Sequence, residues 1–475
     1  ADALNGIPSS VPSAGLVPAI FLSTIDIFCL PAFTSSMTPY GRFAAALVLL
    51  LPCVASSALA DDAPDFAATT LSGDWGGART EAWEKGLHFE AGYKVDVLQG
   101  HKGSSTATRN VRHLDLKLRA DLDRLLGWED AVAYLNVIDD RGNGSNAHAG
   151  SLMGISNIEV PVPTARVFHA WVQKGFFDDR LSLLAGIYPI DSEFFTMESA
   201  ANLLHPAYGT SADLALTNTP SIFNNAAFGL RGKLLSDDRT LYAMGAVLDG
   251  VPNDPKHPRR TAVRLSGRDG AFGIAELGWM PQESRHAFDF EPTDPANVLQ
   301  SPAVETHEKY AGYAKLAAGV WAYSRKRDDL ADVDAAGTPV RHRSHGAYVL
   351  GERTLFGLPG DPLRNLSVFG RYTLADPNTI AIDRSWNLGF KWRGPLAHRP
   401  QDAITIGWTR GQLAEKYRRS LDRAANAEQA FEATWRVELS PAFAIQPDWQ
   451  YIRHPGGEAA AKPVRVVGAR FDLVF

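Results

Sequence analysis

A strict alternation of apolar and polar residues, with a period of two, limits what this chain can fold into. It is clearest in VRHLDLKLRADL (111–122). The apolar set is Leu114, Leu116, Leu118, Ala120 and Leu122, and the ionic set is His113, Asp115, Lys117, Arg119 and Asp121. Successive side chains of an extended strand point to opposite faces, so this segment predicts a strand with one apolar and one ionic face. Soluble sandwiches contain such strands too, and the number of repeats therefore matters more than any one of them.

Segments of this length and pattern recur along the rest of the chain. They lie at 87–98, 111–123, 129–139, 166–177, 180–188, 223–235, 239–248, 271–280, 309–323, 345–356, 364–374, 380–392, 403–412, 430–440, 442–452 and 464–475. A composition with 41 Gly, 29 Pro and 10% aromatic residues favours short strands and turns. No apolar run after Val54 is long enough for a spanning helix. The sequence predicts an all-β transmembrane outer-membrane barrel of about 16 antiparallel strands.

The predicted connections are of two alternating kinds. Tight turns follow the second, fourth, sixth and fourteenth strands, whereas long polar segments follow the first, third, fifth, seventh, ninth, thirteenth and fifteenth. Outer-membrane barrels have short turns on the periplasmic side and long loops outside, so the asymmetry favours the same fold. Two places depart from it. Residues 281–308 are too long for a short-side turn, and the linker from Ala375 to Thr379 is short for an outer loop, which indicates an insertion or a shifted strand count.

The N-terminal region carries an export signal. From Met37, MTPYGRFAAALVLLLPCVASSALADDAP has a basic residue, a short apolar core and a small-residue cleavage site at Ala60. A membrane anchor or a lipoprotein signal at Cys53 fits less well, because Pro52 interrupts the apolar run. The expected organisation is a spurious or upstream extension (1–36), a signal peptide (37–60), a periplasmic N-terminal segment (61–86) and the barrel (87–475). Both cysteines precede residue 61, so the exported chain is expected to contain no disulfide.

The C-terminal strand adds an independent indication. VVGARFDLVF places Phe471, Leu473 and Phe475 on one face and ends on an aromatic residue. This pattern resembles the signal by which the barrel-assembly machinery recognises outer-membrane proteins. The expected location is the outer membrane of a Gram-negative bacterium, in contact with its lipid. The net charge of -6 gives no indication of the basic surface that nucleic-acid binding requires.

The segment LSGDWGGARTEAWEKGLHFEAGYKVDVLQG (71–100) resembles the N-terminal signature of the carbohydrate-selective porins, the OprB family. Blocks at 121–130, 166–188, 394–408 and 447–457 agree with the same family. The resemblance implies a sixteen-stranded barrel that passes sugars passively, with glucose the familiar substrate; a loop cysteine pair of some relatives is absent from 189–222. The motif residues are Gly73, Asp74, Trp75, Gly76, Gly77 and Arg79. We expect the glycines to let the chain fold tightly around Trp75 and Arg79 to close the lower rim.

A sugar pore requires hydroxyl-binding polar groups and an aromatic face inside the barrel. On the second strand the expected lumen residues are His113, Lys117 and Arg119; on the fourth they are His169, Trp171 and Gln173. We expect Trp171 to offer the stacking face, although most tryptophans of such barrels lie in the interfacial girdles. In the loop 189–222, Asp191, Glu193, Glu198 and Asn202 are expected either to fold inside and face the basic wall or to be solvated in an external loop.

Other classes of protein remain open at this point. A barrel enzyme is disfavoured, because no hydrolase or zinc-protease motif occurs. His342 and His345 are expected in a solvated basic loop, and neither a metal nor a cofactor is expected. A non-selective or structural barrel and a soluble exported β-protein are the remaining alternatives. The working hypothesis is passive, carbohydrate-selective diffusion through a monomer or a homotrimer.

Overall fold

The alternating segments form strands that close on themselves. The computed structural model describes residues 63–475 except 143, 218, 219, 266, 282–312, 359 and 360. Within these residues sixteen strands form one closed antiparallel barrel, in which each strand pairs with the next and the last pairs with the first. The strands are β1 Leu87–Lys102, β2 Ser105–Asp121, β3 Ala131–Arg141, β4 Thr164–Phe176, β5 Leu181–Tyr188, β6 Ala227–Leu235, β7 Leu241–Asp249, β8 Ala271–Trp279, β9 Ala314–Val333, β10 Pro339–Leu358, β11 Asp361–Ala375, β12 Ile382–Arg393, β13 Ala403–Leu413, β14 Ala427–Ser440, β15 Phe443–Arg453 and β16 Val464–Val474. The predicted fold and strand number are confirmed.

The barrel has the burial pattern of a membrane protein. On β2, Asp115 is 2% exposed while the neighbouring Leu116 is 44% exposed, and His113 is also buried. On β16, too, a charged residue is buried and an apolar residue is exposed: Arg470 is buried and Val467 is exposed. Apolar side chains therefore form the outer surface and ionic side chains line the lumen, which is the arrangement that lipid outside and a polar interior require.

Helices are short and lie in the connections. They are α1 Phe66–Thr69, α2 Ala78–Glu84, α3 Leu122–Leu126, α4 Ser145–Ala149, α5 Ala212–Ala215 and α6 Glu415–Arg418. The turn after β2 illustrates why they form. Asp121 accepts hydrogen bonds from the first free N–H groups of α3, and Gly127 ends the helix in the left-handed conformation. Across the described part of the chain, no helix has the length and apolar character needed to cross a bilayer.

Two expected long loops are absent, which corrects the sequence-based assignment. After β1, Lys102 still pairs with Ser105, so only residues 103 and 104 turn the chain. After β9, the strands continue to pair up to Val333 and Pro339, and residues 334–338 make the turn. Polar strands can extend beyond the membrane because backbone pairing does not require an apolar face. The inserted stretch 281–308 lies, from residue 282 onward, outside the described residues.

The hairpin of β9 and β10 also corrects the placement of two histidines. His342 and His345 lie within β10 rather than in a loop. The His342 Nε2 atom lies 3.2 Å from a carboxylate oxygen of Asp329 on the paired strand. Among the described residues, no group of three or more His, Cys, Asp or Glu side chains is arranged to hold a metal ion.

The GDWGG motif forms a cap before the first strand. Gly73, Gly76 and Gly77 have φ values of 65°, 70° and 96°, and open space surrounds a Cβ atom at each position. Their backbone conformation, rather than crowding, therefore favours glycine. The expectation that the chain folds tightly around Trp75 is wrong, because this side chain is 52% exposed and lies beside Phe89. A tryptophan in this position suits the membrane interface.

Arg79 joins this cap to the barrel. Its guanidinium donates hydrogen bonds to the carbonyl oxygen of Phe89 at 2.8 Å and to the Thr70 hydroxyl at 3.1 Å. The same group lies over the Phe66 ring, 4.3 Å from its centroid. Burial lowers the pKa of Arg79, while Glu90 and Asp74 oppose that shift.

Replacing Arg79 with alanine is expected to loosen the cap. The variant leaves the Phe89 carbonyl without its charged donor and removes the cation over Phe66, a loss of about 2–3 kcal/mol. Limited proteolysis of the folded protein in detergent should show faster cleavage within 63–86 while conductance is retained. Cleavage at the wild-type rate would show that Arg79 does not hold the cap.

Candidate functional site

Two long loops of the barrel fold into the lumen. The loop 142–163 follows β3 and the loop 189–226 follows β5. The longer loop, called the crossing loop below, contributes buried apolar side chains such as Ile190, Phe194 and Leu203 to one cluster with inward-facing wall residues such as Tyr348. An apolar cluster inside a polar barrel keeps the loop out of water, so hydrophobic burial places it there.

Wall carboxylates bind the backbone of the crossing loop. Glu352 on β10 accepts hydrogen bonds from the N–H groups of residues 198 and 199 at 3.0 and 2.8 Å. Glu432 on β14 accepts them from residues 204 and 205 at 2.5 and 3.0 Å. Both carboxylates are buried. These hydrogen bonds satisfy loop donors that would otherwise be buried without acceptors.

An arginine provides the complementary contact. The Arg371 guanidinium on β11 donates hydrogen bonds to the carbonyl oxygens of Phe195 at 3.1 Å, Ala207 at 2.5 Å and Gly209 at 2.5 Å. The N–H groups of the crossing loop thus bind side chains of β10 and β14, and its carbonyl groups bind a side chain of β11. These bonds fix the loop against the wall at several separate points.

The shorter infolded loop is held in the same manner. Glu428 on β14 accepts hydrogen bonds from the N–H groups of Leu152, Met153 and Gly456 at 2.9, 3.0 and 2.7 Å. One carboxylate therefore joins the loop 142–163 to the loop after β15. This contact lies between segments that are far apart in sequence.

A buried ion pair links this loop to the seam that closes the barrel. Asp96 on β1 and Arg470 on β16 are register partners, and two guanidinium nitrogens lie 2.6 and 2.8 Å from the carboxylate. Ser156 donates to Asp96 at 2.8 Å, and Arg470 donates to the Asn157 side chain at 2.6 Å. The loop thus binds both members of the pair that spans the seam.

Strand β13 provides the space into which both loops pack. Its inward residues are Ala403, Thr405, Gly407, Thr409, Gly411 and Leu413. A Cβ atom at Gly407 would lie 2.5 Å from the Tyr208 hydroxyl, and one at Gly411 would lie 3.1 Å from the Met153 sulfur. Side chains from both loops therefore pack against the small inward face of β13.

The structure brings two of the predicted site residues together around a residue that the sequence analysis missed. Arg231 on β6 lies 2.7 and 2.9 Å from the Glu193 carboxylate and donates to the side-chain amide oxygen of Gln173 at 2.5 Å. Glu193 keeps 18% of its side chain exposed. A loop acid thus meets a basic wall residue here, but on β6 rather than on the β2 wall that the sequence analysis named. The alternation in AFGLRGKLL would have placed Arg231 inside, had it been followed along β6.

The predicted residues of β2 face inward and have partners in the wall. His113 hydrogen-bonds to Asp140 at 2.8 Å. The Lys117 ammonium lies 3.6 Å from the carboxylates of both Glu90 and Asp115. An Arg119 guanidinium nitrogen lies 3.2 Å from His88 Nδ1. The lumen wall in this region is a network of paired charges, and Lys117 and Arg119 are only partly buried within it.

The remaining site residues of β4 face inward but are covered. Trp171 is 6% exposed, packs against Tyr134 with ring centroids 5.2 Å apart and donates to His169 at 3.3 Å. Trp171 points inward, as the alternation along β4 predicts. Little of its ring is exposed for a sugar to stack on. The stacking role of Trp171 remains a prediction.

Three predicted loop residues make contacts other than those expected. Asp191 accepts hydrogen bonds from the Thr210 hydroxyl and the Phe223 N–H within its own loop. Glu198 and Asn202 meet the wall through main-chain atoms: the Glu198 N–H donates to Glu352, and the Asn202 carbonyl accepts from Gln446. The sequence gives no signal for these backbone contacts, because they depend on how the loop folds.

Comparison with known proteins agrees with this architecture. Residues 105–475 match the family described as carbohydrate-selective porin, OprB family. Porin B of Pseudomonas aeruginosa is 25% identical over 443 residues, which cover 85% of this chain and 91% of that protein. The high-pH structure of Pseudomonas putida OprB has a TM-score of 0.72 at 21% identity, covering 86% of this chain and 99% of that one. Its low-pH structure covers the same shares, with a TM-score of 0.53 at 18% identity.

The fold, the charged lumen and the infolded loops describe a channel rather than an enzyme. The family match extends over most of the described barrel. This chain belongs to the OprB family of carbohydrate-selective porins and is a sugar-selective channel of the Gram-negative outer membrane.

Proposed function

We propose that neutral, glucose-like sugars diffuse passively through the lumen past a constriction formed by the crossing loop. The main support is the attachment of that loop to opposite sides of the wall, through Arg231 on β6 and Glu432 on β14. A loop fixed in this way narrows the passage without closing it by a moving gate. Transport then requires only a concentration gradient, with neither turnover nor energy coupling.

The chemistry around Glu193 suits a hydroxyl-rich solute. Its carboxylate accepts hydrogen bonds, and the neighbouring Arg231 supplies donors. Because Glu193 is already paired with Arg231, a sugar hydroxyl exchanges hydrogen bonds with a satisfied pair rather than with a bare charge. Binding of this kind is weak, which a solute that must leave again requires. We assign sugar contact to Glu193, Lys117 and Arg119, with His113, His169, Trp171, Gln173 and Asp191 buried behind them.

Planar-bilayer conductance with candidate sugars tests this function directly. Added glucose should reduce the ion current in a saturable manner, and liposomes containing the protein should swell in glucose faster than in a disaccharide. Current without block by any sugar would contradict selectivity, and the absence of current would contradict an open pore. The absence of sugar hydrolysis by the pure protein is expected in the same preparation.

Replacing Glu193 with glutamine is expected to weaken sugar binding. The change keeps the side-chain size but removes the charge that orients Arg231, a loss of about 1–2 kcal/mol and roughly a tenfold weaker block by glucose. Glu415→Gln, on the exposed helix α6, is a matched control. Equal block constants for the three proteins would remove Glu193 from the sugar path.

The assembly of the protein is part of the same proposal. We infer that residues 37–60 are removed on export, that 61–86 lie on the periplasmic side and that Phe471, Leu473 and Phe475 are read by the barrel-assembly machinery. N-terminal sequencing of the protein from outer membranes tests the cleavage site, for which Asp61 is the expected first residue. Chemical cross-linking in the membrane separates a monomer from a homotrimer.

A further inference from the structure

The hairpin of β9 and β10 projects beyond the barrel wall on the long-loop side. Strand β8 pairs with β9 only as far as Tyr323, and β11 pairs with β10 only from Gly346. Residues 324–344 therefore form a two-stranded ribbon with neither neighbour in the sheet. At about 3.3 Å per residue, the β9 arm (324–333) is about 33 Å long and the β10 arm (339–344) is about 20 Å long.

One face of this ribbon is fixed against other loops. The Ser344 and Thr379 hydroxyls lie 2.8 Å apart, and the Leu330 N–H donates to the Asn378 carbonyl at 2.8 Å. The Lys416 ammonium lies 2.5 Å from the Asp329 carboxylate. These contacts determine which face of the ribbon is turned inward, and so they determine the opposite face as well.

The opposite face is basic and exposed. It carries Lys326, Arg341, Arg343 and His345 and one carboxylate, Asp328, which lies 3.1 Å from the Arg341 Nε atom. The Arg341 guanidinium donates to the Lys326 carbonyl at 2.9 Å, and Arg343 donates to the Ser324 carbonyl at 2.9 Å. These main-chain bonds hold both guanidinium groups along the ribbon, so less side-chain entropy remains to be lost when an anion binds.

This basic face begins where the apolar outer surface of the same strands ends. Val320 and Val349 lie on the outer surface of β9 and β10 and are exposed, as lipid-facing residues are. The next outward positions of β10 toward the long-loop end are Ala347, His345 and Arg343. The outer surface of β10 therefore changes from apolar to basic between Val349 and His345. This change places the basic side chains at the level of the lipid headgroups.

We propose that the outer face of the β9–β10 ribbon binds the phosphate groups of phosphorylated glycolipid headgroups in the outer leaflet. Arginine forms paired hydrogen bonds with phosphate oxygens, and two arginines two residues apart on one strand can contact neighbouring phosphates. The lipid anchors the ribbon whose inner face covers the long-loop end of the barrel. This inference does not depend on which solute passes through the lumen.

The test measures lipid retained by the purified full-length protein. Wild type, Arg341→Gln/Arg343→Gln and the control Arg453→Gln/Arg465→Gln are incubated in detergent with a diphosphorylated lipid A or its dephosphorylated form. The control removes two exposed arginines at the long-loop ends of β15 and β16. Native mass spectrometry should show about tenfold less diphosphorylated lipid on the first variant and no loss on the control.

Two further results decide the source of the phosphate and the role of the charge. Millimolar inorganic phosphate is expected not to displace the lipid; complete displacement would indicate a free-anion site and overturn the leaflet assignment. Equal retention by wild type and the Arg341/Arg343 variant, or equal retention of both lipid forms by wild type, would also overturn the proposal. Unchanged conductance of the variant shows that its barrel is folded.

Discussion

Replacing Glu352 and Glu432 together with glutamine is expected to roughly double the single-channel conductance and to abolish discrimination among sugars. Each carboxylate accepts two hydrogen bonds from the crossing-loop backbone. A glutamine keeps one acceptor oxygen and turns an NH₂ group toward a backbone N–H. Leaving buried donors unpaired costs about 1–3 kcal/mol each, enough to release a loop segment from the wall.

Bilayer recordings and liposome swelling measure this effect in one preparation. The conservative change Glu432→Asp, which retains a carboxyl group, should fall between wild type and the glutamine variant, and Glu415→Gln should behave as wild type. If the double variant keeps the wild-type conductance and sugar preference, apolar packing alone holds the loop. If wild type itself shows no sugar preference, the transport proposal fails, whatever the anchors do.

Replacing Arg470 with methionine is expected to have the largest effect on stability. Asp96 would remain buried without its cation, and breaking a buried ion pair by removing one partner costs about 3–5 kcal/mol. Because the pair crosses the β1–β16 seam and also binds the loop 142–163, barrel closure and loop docking should weaken together. The expected readout is denaturation of the folded barrel at a clearly lower temperature in heated detergent gels.

A double-mutant comparison separates the ion pair from its packing. Asp96→Asn with Arg470→Met removes both charges and should recover part of the stability lost in the single variant. If the single variant assembles poorly in cells, refolding from urea into detergent micelles gives the same comparison. A single variant as stable as wild type would show that the seam does not depend on this pair.

The strands, and the side of the barrel to which their residues point, could be predicted because a membrane barrel requires alternation between neighbouring residues. Lipid on one side and a polar lumen on the other require alternation within each strand, so His113, Lys117 and Gln173 could be placed inside from neighbouring residues alone. Strand ends were less predictable. The hairpins after β1 and β9 continue beyond the membrane with polar residues on both faces, and the composition there resembles that of a loop.

Patterns of adjacent residues were enough to predict the barrel, its strand number, the lumen faces of β2 and β4 and the resemblance to the family. Which wall residues meet the infolded loops depends instead on how those loops fold. Glu352, Glu432 and Arg371 bind main-chain atoms of residues far away in the chain, and Asp191 turns back into its own loop. Main-chain N–H and carbonyl groups are the same in every residue, so contacts made through them leave no pattern in the sequence.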